Sequence, residues 1–320
     1  MEPVVVVGAG LAGVACAREL AAAGLPVRVL DRGHRPGGRM ASRTLDGRPV
    51  DLGASYFTVG DDSDFAAVVE DWRSAALARE WTDTFTVLEA GSAPEAKTGP
   101  TRWGTPHGTR SLVEHLAAGL DVVRTDVRRV TLEGGRPTVN DAPASSVVLA
   151  MPDPQARRLL EPGPVADRLD RTYEPVLALA ARFARRTWDD GSPDARFEGA
   201  FVNQEAALDW VADDGRRRGD DAPVLVAHST AALAVDHLED PAAAEPEMLD
   251  ALRRHLDVDV PTSTYVHRWT YAKPAGEREE RFLLDGRLGV CGDGWGPSPK
   301  VETAWRSGRD LGRALAERLA

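Results

Sequence analysis

The chain lacks the features that mark secreted, membrane-spanning and nucleic-acid-binding proteins. Its 320 residues include only Cys16 and Cys291 as cysteines, too few for a disulfide framework and typical of a reducing cytosol. The net charge of −11 opposes binding to nucleic acid or to an anionic membrane. No run approaches the ~18 apolar residues of a membrane span, and the first residues enter a strand without a signal-peptide pattern. We therefore expect a cytoplasmic protein whose partners are small molecules.

Motifs for hydrolytic and metal-dependent chemistry are missing as well. The seven histidines do not fall at zinc-motif spacings, and no C-x-x-C accompanies them, so we expect no metal. There is no G-x-S-x-G turn to carry a nucleophilic serine. Cys16 lies inside an apolar helical run, where a thiol packs rather than reacts. Metal-dependent and hydrolytic chemistry therefore find no support in the sequence.

The start of the chain has the pattern of a dinucleotide-binding unit. Val4–Val7 predicts a strand buried on both faces, and the next six residues fit G-x-G-x-x-G. A helix then ends near Gly24, and a second strand delivers Asp31 roughly 20 residues later, where a carboxylate can hold ribose hydroxyls. The predicted cofactor-binding residues of this unit are Gly8, Ala9, Gly10, Leu11, Ala12, Gly13, Asp31 and Arg32.

Two further segments extend this site. Gly37 and Gly38 permit close backbone approach, and Arg39, beside Met40, offers a rigid fork to a second phosphate. Placed directly after a dinucleotide unit, this segment looks like the second phosphate contact of flavoproteins that bind FAD extended. Small residues suited to pack against a flat ring follow at Gly53, Ala54, Ser55 and Tyr56.

The C-terminal part of the chain distinguishes FAD from NAD as the predicted cofactor. A strand ends in Gly292 and Asp293, and a helix opens at Ser298 and Pro299. This unit would give the sheet a second ligand-facing edge, which suits a long cofactor held at both ends. The ribityl chain would lie near Asp293, and the positive end of the helix near Val301 would stabilise the reduced flavin anion.

The predicted fold is α/β, with a Rossmann-like FAD-binding domain and an interleaved α+β substrate domain of mixed antiparallel sheet plus helices. We assign residues 1–58, 100–155 and 266–320 to the first domain, and residues 59–99 and 156–265, where strands alternate, to the second. Within them we predict a helix over residues 61–80, a loop over 91–101 and a solvated loop over the charged run 213–221, with Trp210 on a helix or turn.

Several motifs carry a resemblance to a known family. The opening glycines, Gly37-Gly38-Arg39-Met40, Cys291-Gly292-Asp293 and Val301-Glu302-x-Ala304 resemble the FAD-dependent amine oxidase superfamily. The segments 51–58, 150–156 and 267–276 (HRWTYAKPAG) more narrowly resemble bacterial renalase-like proteins, along nearly the whole chain. The resemblance implies non-covalent FAD and oxidation of the 2- and 6-dihydro isomers of NAD(P)H, with O2 reduced to H2O2.

The resemblance also assigns roles to residues. Val127 would supply backbone to the adenine, and Asp293 and Val301 would serve the ribityl and pyrimidine edges. The candidates for the substrate pocket are Ser55, Trp210, His228, His267, Trp269 and Tyr271. Two positions depart from the family pattern, since Ser55 stands where glutamine is usual and residues 231–233 lack its tryptophan.

The chemistry expected of this site requires little help from side chains. A donor that is already reduced gives its hydride to flavin N5 when it is stacked on the ring, so we assign no general base. Two alternatives stay open from the sequence. One is an FAD-dependent amine oxidase or dehydrogenase acting on a biosynthetic intermediate, and the other is a non-catalytic flavin-binding protein.

Overall fold

The structure is a computed structural model that describes residues 2–189 and 196–320. Its helices are α1 (Leu11–Ala22), α2 (Phe65–Ser74), α3 (Thr109–Ala117), α4 (Asp153–Arg157), α5 (Pro164–Asp167), α6 (Asp214–Arg218), α7 (Ala231–Asp236), α8 (Glu245–His255) and α9 (Val301–Leu319). Its first strands are β1 (Val4–Val7), β2 (Val27–Asp31), β3 (Ser42–Leu45), β4 (Arg48–Asp51), β5 (Arg79–Glu89), β6 (Glu95–Gly104), β7 (Val122–Arg124), β8 (Val130–Glu133), β9 (Arg136–Val139) and β10 (Ala142–Pro143). The later strands are β11 (Ser146–Leu149), β12 (Tyr173–Arg182), β13 (Gly199–Asn203), β14 (Leu208–Asp213), β15 (Val224–Ser229), β16 (Ser263–Pro274), β17 (Leu283–Asp285) and β18 (Leu288–Val290).

The chain divides into two compact units. Unit 1 comprises Met1–Met40, Arg110–Tyr173 and Lys273–Ala320, and unit 2 comprises Ala41–Thr109 and Glu174–Ala272. The predicted α/β class, with a Rossmann-like domain and a second mixed sheet, is confirmed. Residues 41–58 and 100–109 lie in unit 2, whereas the sequence grouped them with the FAD-binding segments. The cofactor and substrate roles given to the segments remain predictions.

Unit 1 is built on a six-stranded sheet in the order β17-β18-β11-β1-β2-β7. Neighbouring strands from β18 to β7 in this order pair in parallel. Only β17, at one edge of this sheet, pairs antiparallel. All four valines of β1 are buried, because helices and loops cover both faces of a parallel sheet. Carboxyl ends of parallel strands meet at one edge, which places the turns after β1, β2 and β18 together.

The first and last helices of unit 1 pack against each other at two glycines of α9. A Cβ on Gly308 would lie 1.9 Å from the Ala12 carbonyl oxygen, and one on Gly312 would lie 2.8 Å from that of Cys16. Only glycine therefore lets the two backbones approach this closely. Among the described residues, no helix has both the length and the apolar character that a membrane crossing requires.

Unit 2 is built on a seven-stranded sheet in the order β16-β12-β15-β14-β13-β5-β6. Most described neighbours are antiparallel, while β13 and β5 run parallel. One face forms a core that includes Leu179, Val211 and Leu225 with Met248 and Leu252 of α8. On the other face Leu45, Val50 and Leu52 pack on β12 and β15, with Trp269 beside them. The sheet therefore has two different faces, one buried by helices and one by the β3–β4 segment.

Two predictions in residues 61–101 were wrong in their details. The helix over residues 61–80 is confined to α2, and β5 begins at Arg79. The predicted loop 91–101 is largely strand, since β6 begins at Glu95 and pairs antiparallel with β5. β6 is the outer strand of its sheet and most of its residues are exposed, so it shows none of the apolar alternation that marks a half-buried strand.

The charged run 213–221 was wrongly predicted as a solvated loop. Asp213 caps α6 by accepting a hydrogen bond from the Arg216 backbone N–H at 2.9 Å, and Asp214, Arg217 and Arg218 are all buried. Trp210, predicted on a helix or turn, lies in the preceding strand β14. Each buried arginine is matched to a carboxylate or carbonyl, a pairing that a local count of charges does not reveal.

The carboxylate of Asp214 is the centre of this buried ion network. It accepts hydrogen bonds from the guanidinium groups of Arg48, Arg217 and Arg218, and Arg218 also donates to Asp51 at 2.8 Å. Burial raises the pKa of Asp214, but the three guanidinium groups outweigh it and hold that pKa well below its ordinary value. The network therefore joins β4 to α6 within unit 2.

Candidate cofactor and substrate sites

The turn after β1 is closed by the carboxylate of Asp31 in unit 1. Its two oxygens accept hydrogen bonds from the backbone N–H groups of Ala9 and Gly33, each at 2.7 Å. The turn is also anchored to β2 by the Gly8 N–H, which donates to the Leu30 carbonyl at 2.8 Å. Asp31 thus organises the glycine turn, a role that spacing alone did not reveal, and each of its oxygens keeps a second lone pair for a ribose hydroxyl.

The three glycines of the turn have different reasons for being glycine. Gly8 has φ +110°, and a Cβ on Gly13 would lie 2.0 Å from the Gly8 carbonyl oxygen. Gly10 has ordinary extended backbone, and a Cβ there would meet only Gly38 Cα, at a comfortable 3.8 Å. The protein itself therefore does not require glycine at position 10. Close approach of a ligand would require glycine at this position, and a pyrophosphate at the start of α1 fits that requirement.

The Gly37-Gly38-Arg39 segment lies directly against this turn. The Gly37 N–H donates to the Ala9 carbonyl at 2.9 Å, and a Cβ on Gly38, which has φ +55°, would lie 3.1 Å from Gly10 Cα. Met40 is buried at the end of the short helical turn Gly38–Met40. The placement beside the glycine turn suits a second phosphate contact by Arg39.

Arg39 and Asp293 form a bidentate ion pair although 254 residues separate them. One of the two hydrogen bonds, Nη1 to Oδ2, is 2.8 Å long. The sequence predicted separate partners for the two residues, a phosphate for Arg39 and a ribityl hydroxyl for Asp293. The structure brings both ends of the chain to one place in unit 1, as a long cofactor held at both ends requires.

The helix expected to face the flavin begins later than predicted. Ser298 and Pro299 precede it, Lys300 is the N-cap and Val301 is its first residue. No side chain caps this end, so the first N–H groups of α9 are available to an acceptor on a ligand. The Gly292 N–H donates to Ser307 Oγ at 3.0 Å and thereby fixes the end of β18 to α9.

The remaining predicted cofactor residues fall into two groups. Leu11 and Ala12 are buried in the first turn of α1, Arg32 is exposed, and Val127 is partly buried in the segment between β7 and β8. Gly53, Ala54, Ser55 and Tyr56 follow β4 as a half-buried segment of unit 2. Arg217 donates to the Ser55 carbonyl at 2.7 Å, a contact that the sequence did not predict. Their contacts with FAD stay predictions.

Within unit 2, two predicted pocket residues share one hydrogen-bond acceptor. The Leu52 carbonyl oxygen lies 3.0 Å from His228 Nε2 and 2.8 Å from Trp269 Nε1. Because a carbonyl only accepts, His228 Nε2 carries the proton in this contact. The shared acceptor comes directly before Gly53 and holds the side chains from β15 and β16 in fixed orientations.

Trp210 lies next to this pair. It is opposite His228 on the neighbouring strand, and their ring centroids are 5.3 Å apart. Tyr56 approaches the Trp210 ring with a centroid separation of 6.4 Å. The indole N–H of Trp210 is buried and has no hydrogen-bond partner among the residues that the structure describes. A buried donor without a partner is costly, which makes this atom a candidate ligand contact.

His267 and Tyr271 lie on the same strand as Trp269, at alternate positions. The His267 ring contacts Trp269 edge-on with a centroid distance of 4.4 Å. Burial lowers the pKa of His267 to about 4, and the charges of Arg43 and Arg268 act in the same direction. His267 is therefore neutral at physiological pH. Ring contacts join Trp210 to His228 and His267 to Trp269, and the shared Leu52 carbonyl links the two pairs.

The other reactive groups of the chain are held inert. Burial raises the pKa of Cys291 to about 12 and raises that of Cys16 as well. Both thiols therefore stay protonated in the core of unit 1. Within residues 2–189 and 196–320, no group of three or more histidine, cysteine or acidic side chains is arranged to hold a metal ion.

Comparison with known families and curated proteins gives matches in both halves of the chain. The NAD(P)-binding Rossmann-like domain matches residues 6–72, and the flavin containing amine oxidoreductase family matches residues 87–314. Hydroxyneurosporene desaturase of Rubrivivax gelatinosus is 52% identical over 56 residues, which are 18% of this chain and 11% of that protein. Putrescine oxidase of Kocuria rosea is 44% identical over 68 residues, 21% of this chain and 14% of that protein. These matches span a small part of either relative.

Solved structures match along the whole chain at low identity. Cyclohexylamine oxidase from Brevibacterium oxydans superposes with a TM-score of 0.77 and 16% identity, covering 99% of each chain. Putrescine oxidase bound to putrescine superposes with a TM-score of 0.76 and 17% identity, again over 99% of each chain. At this identity the likeness establishes a common fold.

The family match defines the class of protein, and the geometry of unit 1 fits the cofactor that this class uses. The protein is an FAD-dependent oxidoreductase. Since the family match covers more than two thirds of its residues, the chain belongs to the flavin-containing amine oxidoreductases.

Proposed function

We propose that the protein oxidises the 2- and 6-dihydro isomers of NAD(P)H to NAD(P)+, as renalase-like proteins do. When bound, FAD supplies a two-electron acceptor that takes a hydride from the donor and is reoxidised by O2. In the balanced reaction, one dihydronicotinamide, one proton and one O2 give one oxidised nicotinamide and one H2O2. The residues of the chain have to orient the donor ring and exclude competing donors.

The observation that carries the proposal is the buried, unpartnered indole N–H of Trp210 beside His228. A dihydronicotinamide has a carboxamide oxygen that can accept a hydrogen bond from this donor. An ammonium group has only donors and cannot do so. A protonated amine would therefore leave the indole N–H unsatisfied, whereas the carboxamide oxygen of a dihydronicotinamide would pair it.

The neighbouring side chains suit positioning better than proton transfer. Leu52 holds His228 and Trp269 in place through its carbonyl, so both rings are oriented before a donor arrives. An amine must lose a proton before it can give up a hydride. His267, with a pKa of about 4, is too weak a base to take that proton. A dihydronicotinamide needs no such base.

The alternative is amine oxidation, and its support is the fold shared with a structure of putrescine oxidase bound to putrescine. A purely flavin-binding role is the third possibility. One assay tests the proposal against both alternatives. The FAD-loaded protein is given each dihydro isomer, ordinary NADH, putrescine and cyclohexylamine in air. We expect NAD+ and H2O2 in equal amounts from the isomers, at rates well above those with ordinary NADH.

A pair of tryptophan variants links the assay to the structure. Trp210→Phe keeps the ring and removes the N–H, so we expect the KM for the isomers to rise roughly fivefold, the value of about one hydrogen bond, with little change in kcat. Trp72→Phe is the matched control, because its buried N–H is also unpartnered among the described residues but lies on α2, against Phe57 and Phe65. Faster turnover of an amine than of either isomer would overturn the proposal, and so would no turnover of any donor at full FAD occupancy.

A further inference from the structure

Strand β16 carries a row of ring-bearing side chains that begins at the proposed donor site. Tyr265, His267 and Trp269 occupy alternate positions, so their side chains lie on one face of the strand. The Tyr265 and His267 rings stack with a centroid distance of 6.2 Å and an interplanar angle of 21°. β16 is the outer strand of its sheet, and Tyr265 at the far end of the row is 39% exposed.

The length of this row matches that of a dinucleotide. Trp269 and Tyr265 are four residues apart, which is about 13 Å along an extended strand. An extended dinucleotide places its two planar bases at a separation of the same order, with a diphosphate between them. A donor whose nicotinamide lies at Trp269 would therefore bring its adenine to the exposed face of Tyr265.

Positive charge lies beside the middle of the row. The charge of Arg43, an exposed residue of β3, helps to lower the pKa of His267, after burial. The turn after β3 is held near the start of β16, because Ser263 donates a hydrogen bond to the Asp46 carboxylate. Arg182 lies 3.6 Å from the same carboxylate and offsets its charge. The Arg43 side chain forms no ion pair with any residue in the described part of the chain, whereas Arg268 donates to the Leu238 carbonyl.

We infer that this surface binds the adenylate half of a dinucleotide donor, with the adenine stacked on Tyr265 and the diphosphate at Arg43. The inference rests on the proposed function, since it places the nicotinamide of the same donor at Trp269. It predicts that a dinucleotide is a better substrate than the corresponding mononucleotide. A nucleobase stacks on any aromatic ring, so Tyr265 would contribute affinity and little discrimination between bases.

Binding of ADP-ribose to the FAD-loaded protein tests the inference without turnover. ADP-ribose has the adenylate half and lacks the nicotinamide, and bound FAD already fills the adenosine site of unit 1. By calorimetry we expect Tyr265→Ala to weaken binding on the order of tenfold and Tyr265→Phe to leave it within about twofold. We expect Arg43→Gln to weaken it about fivefold, from the loss of one charge-assisted contact. Phe201→Ala is the matched control, because Phe201 is 37% exposed on β13 and lies outside the row.

The donors provide a second readout. With the 6-dihydro isomers of NADH and of its mononucleotide, Tyr265→Ala should raise the KM of the dinucleotide alone and leave both kcat values unchanged. A Tyr265→Ala protein that binds ADP-ribose as tightly as the wild type overturns the inference, and so does a wild type that does not bind ADP-ribose. If ADP-ribose binds as expected and the isomers are not oxidised, the proposed function fails and the adenylate site stands.

Discussion

The buried carboxylate of Asp214 gives a stability prediction that depends only on unit 2. Asp214 is fully buried and accepts hydrogen bonds from three guanidinium groups, two of which, those of Arg217 and Arg218, are themselves almost completely buried. Asp214→Asn keeps the shape of the side chain but removes the negative charge. Arg48 would keep its ion pair with Asp220 and Arg218 its pair with Asp51, but buried Arg217 would keep only carbonyl acceptors, and an amide N–H would face a guanidinium.

The magnitude follows from the burial of these groups. Removing one partner of a buried ion pair costs about 3–5 kcal/mol, because the remaining charge loses its compensation without regaining water. For a domain of this size that corresponds to a fall in Tm on the order of 10 °C. An exposed ion pair is worth only about 0.2–1 kcal/mol. Asp250, paired with Arg253 on the surface of α8, supplies that reference within the same unit.

Thermal and guanidinium chloride unfolding of Asp214→Asn, Asp250→Asn and the wild type measure this difference. Tryptophan fluorescence is a suitable probe, since most of the tryptophans belong to unit 2. We expect Asp250→Asn to unfold within about 2 °C of the wild type. If Asp214→Asn also unfolds within that interval, the charge of Asp214 does not stabilise unit 2.

Three further predictions concern glycines and one histidine. Gly10→Ala should fold with normal Tm in the absence of FAD yet bind FAD at least tenfold more weakly by flavin fluorescence titration. Gly13→Ala, whose Cβ would lie 2.0 Å from the Gly8 carbonyl oxygen, should lose stability even without FAD. Equal Tm and equal FAD affinity of the two variants would refute the different roles of the two glycines. Gly308→Ala should lower Tm by several degrees because its Cβ would lie 1.9 Å from the Ala12 carbonyl oxygen, and Gly163→Ala, which has open space, should not; matching melting curves would contradict it. The folded-state pKa of His267 is about 4 against an ordinary 6.5, so the stability that neutral His267 contributes is complete above pH 6.5 and is lost as the pH falls toward 4. His267→Gln should therefore lose less stability than the wild type between pH 6.5 and 4.5. If the denaturation midpoints of the two proteins fall in parallel over this range, His267 does not make this contribution.

The elements of unit 1 were predictable because their signals are local. Val4–Val7, the glycine turn and Asp31 lie within one segment, and the structure brings them together as the spacing indicated. The direct pairing of Arg39 with Asp293 was not predictable, since its partners lie at opposite ends of the chain. The same holds for Leu52, whose carbonyl orients His228 and Trp269 through a backbone atom that no side-chain pattern marks.

The largest error of the sequence-based prediction concerned the charged residues 213–221. The run 213–221 has the composition of a solvated loop, and partners outside it, such as Arg48 and Asp51 more than 160 residues earlier, are what pair its buried charges. β6 was missed for a related reason. This outer strand is held in the sheet by its hydrogen bonds to β5, and its own sequence has no pattern that marks a strand. Both failures arise where tertiary partners override local propensity.

Anaerobic reduction of the bound flavin tests the proposed substrate class most directly. The FAD-loaded protein is mixed in a stopped-flow instrument with 6-dihydro-NAD(P), ordinary NADH or putrescine, and the loss of visible absorbance is followed. We expect the isomer to bleach the flavin in a single phase at least a hundredfold faster than either of the others, a difference in barrier of about 3 kcal/mol. Equal or faster bleaching by putrescine would contradict it.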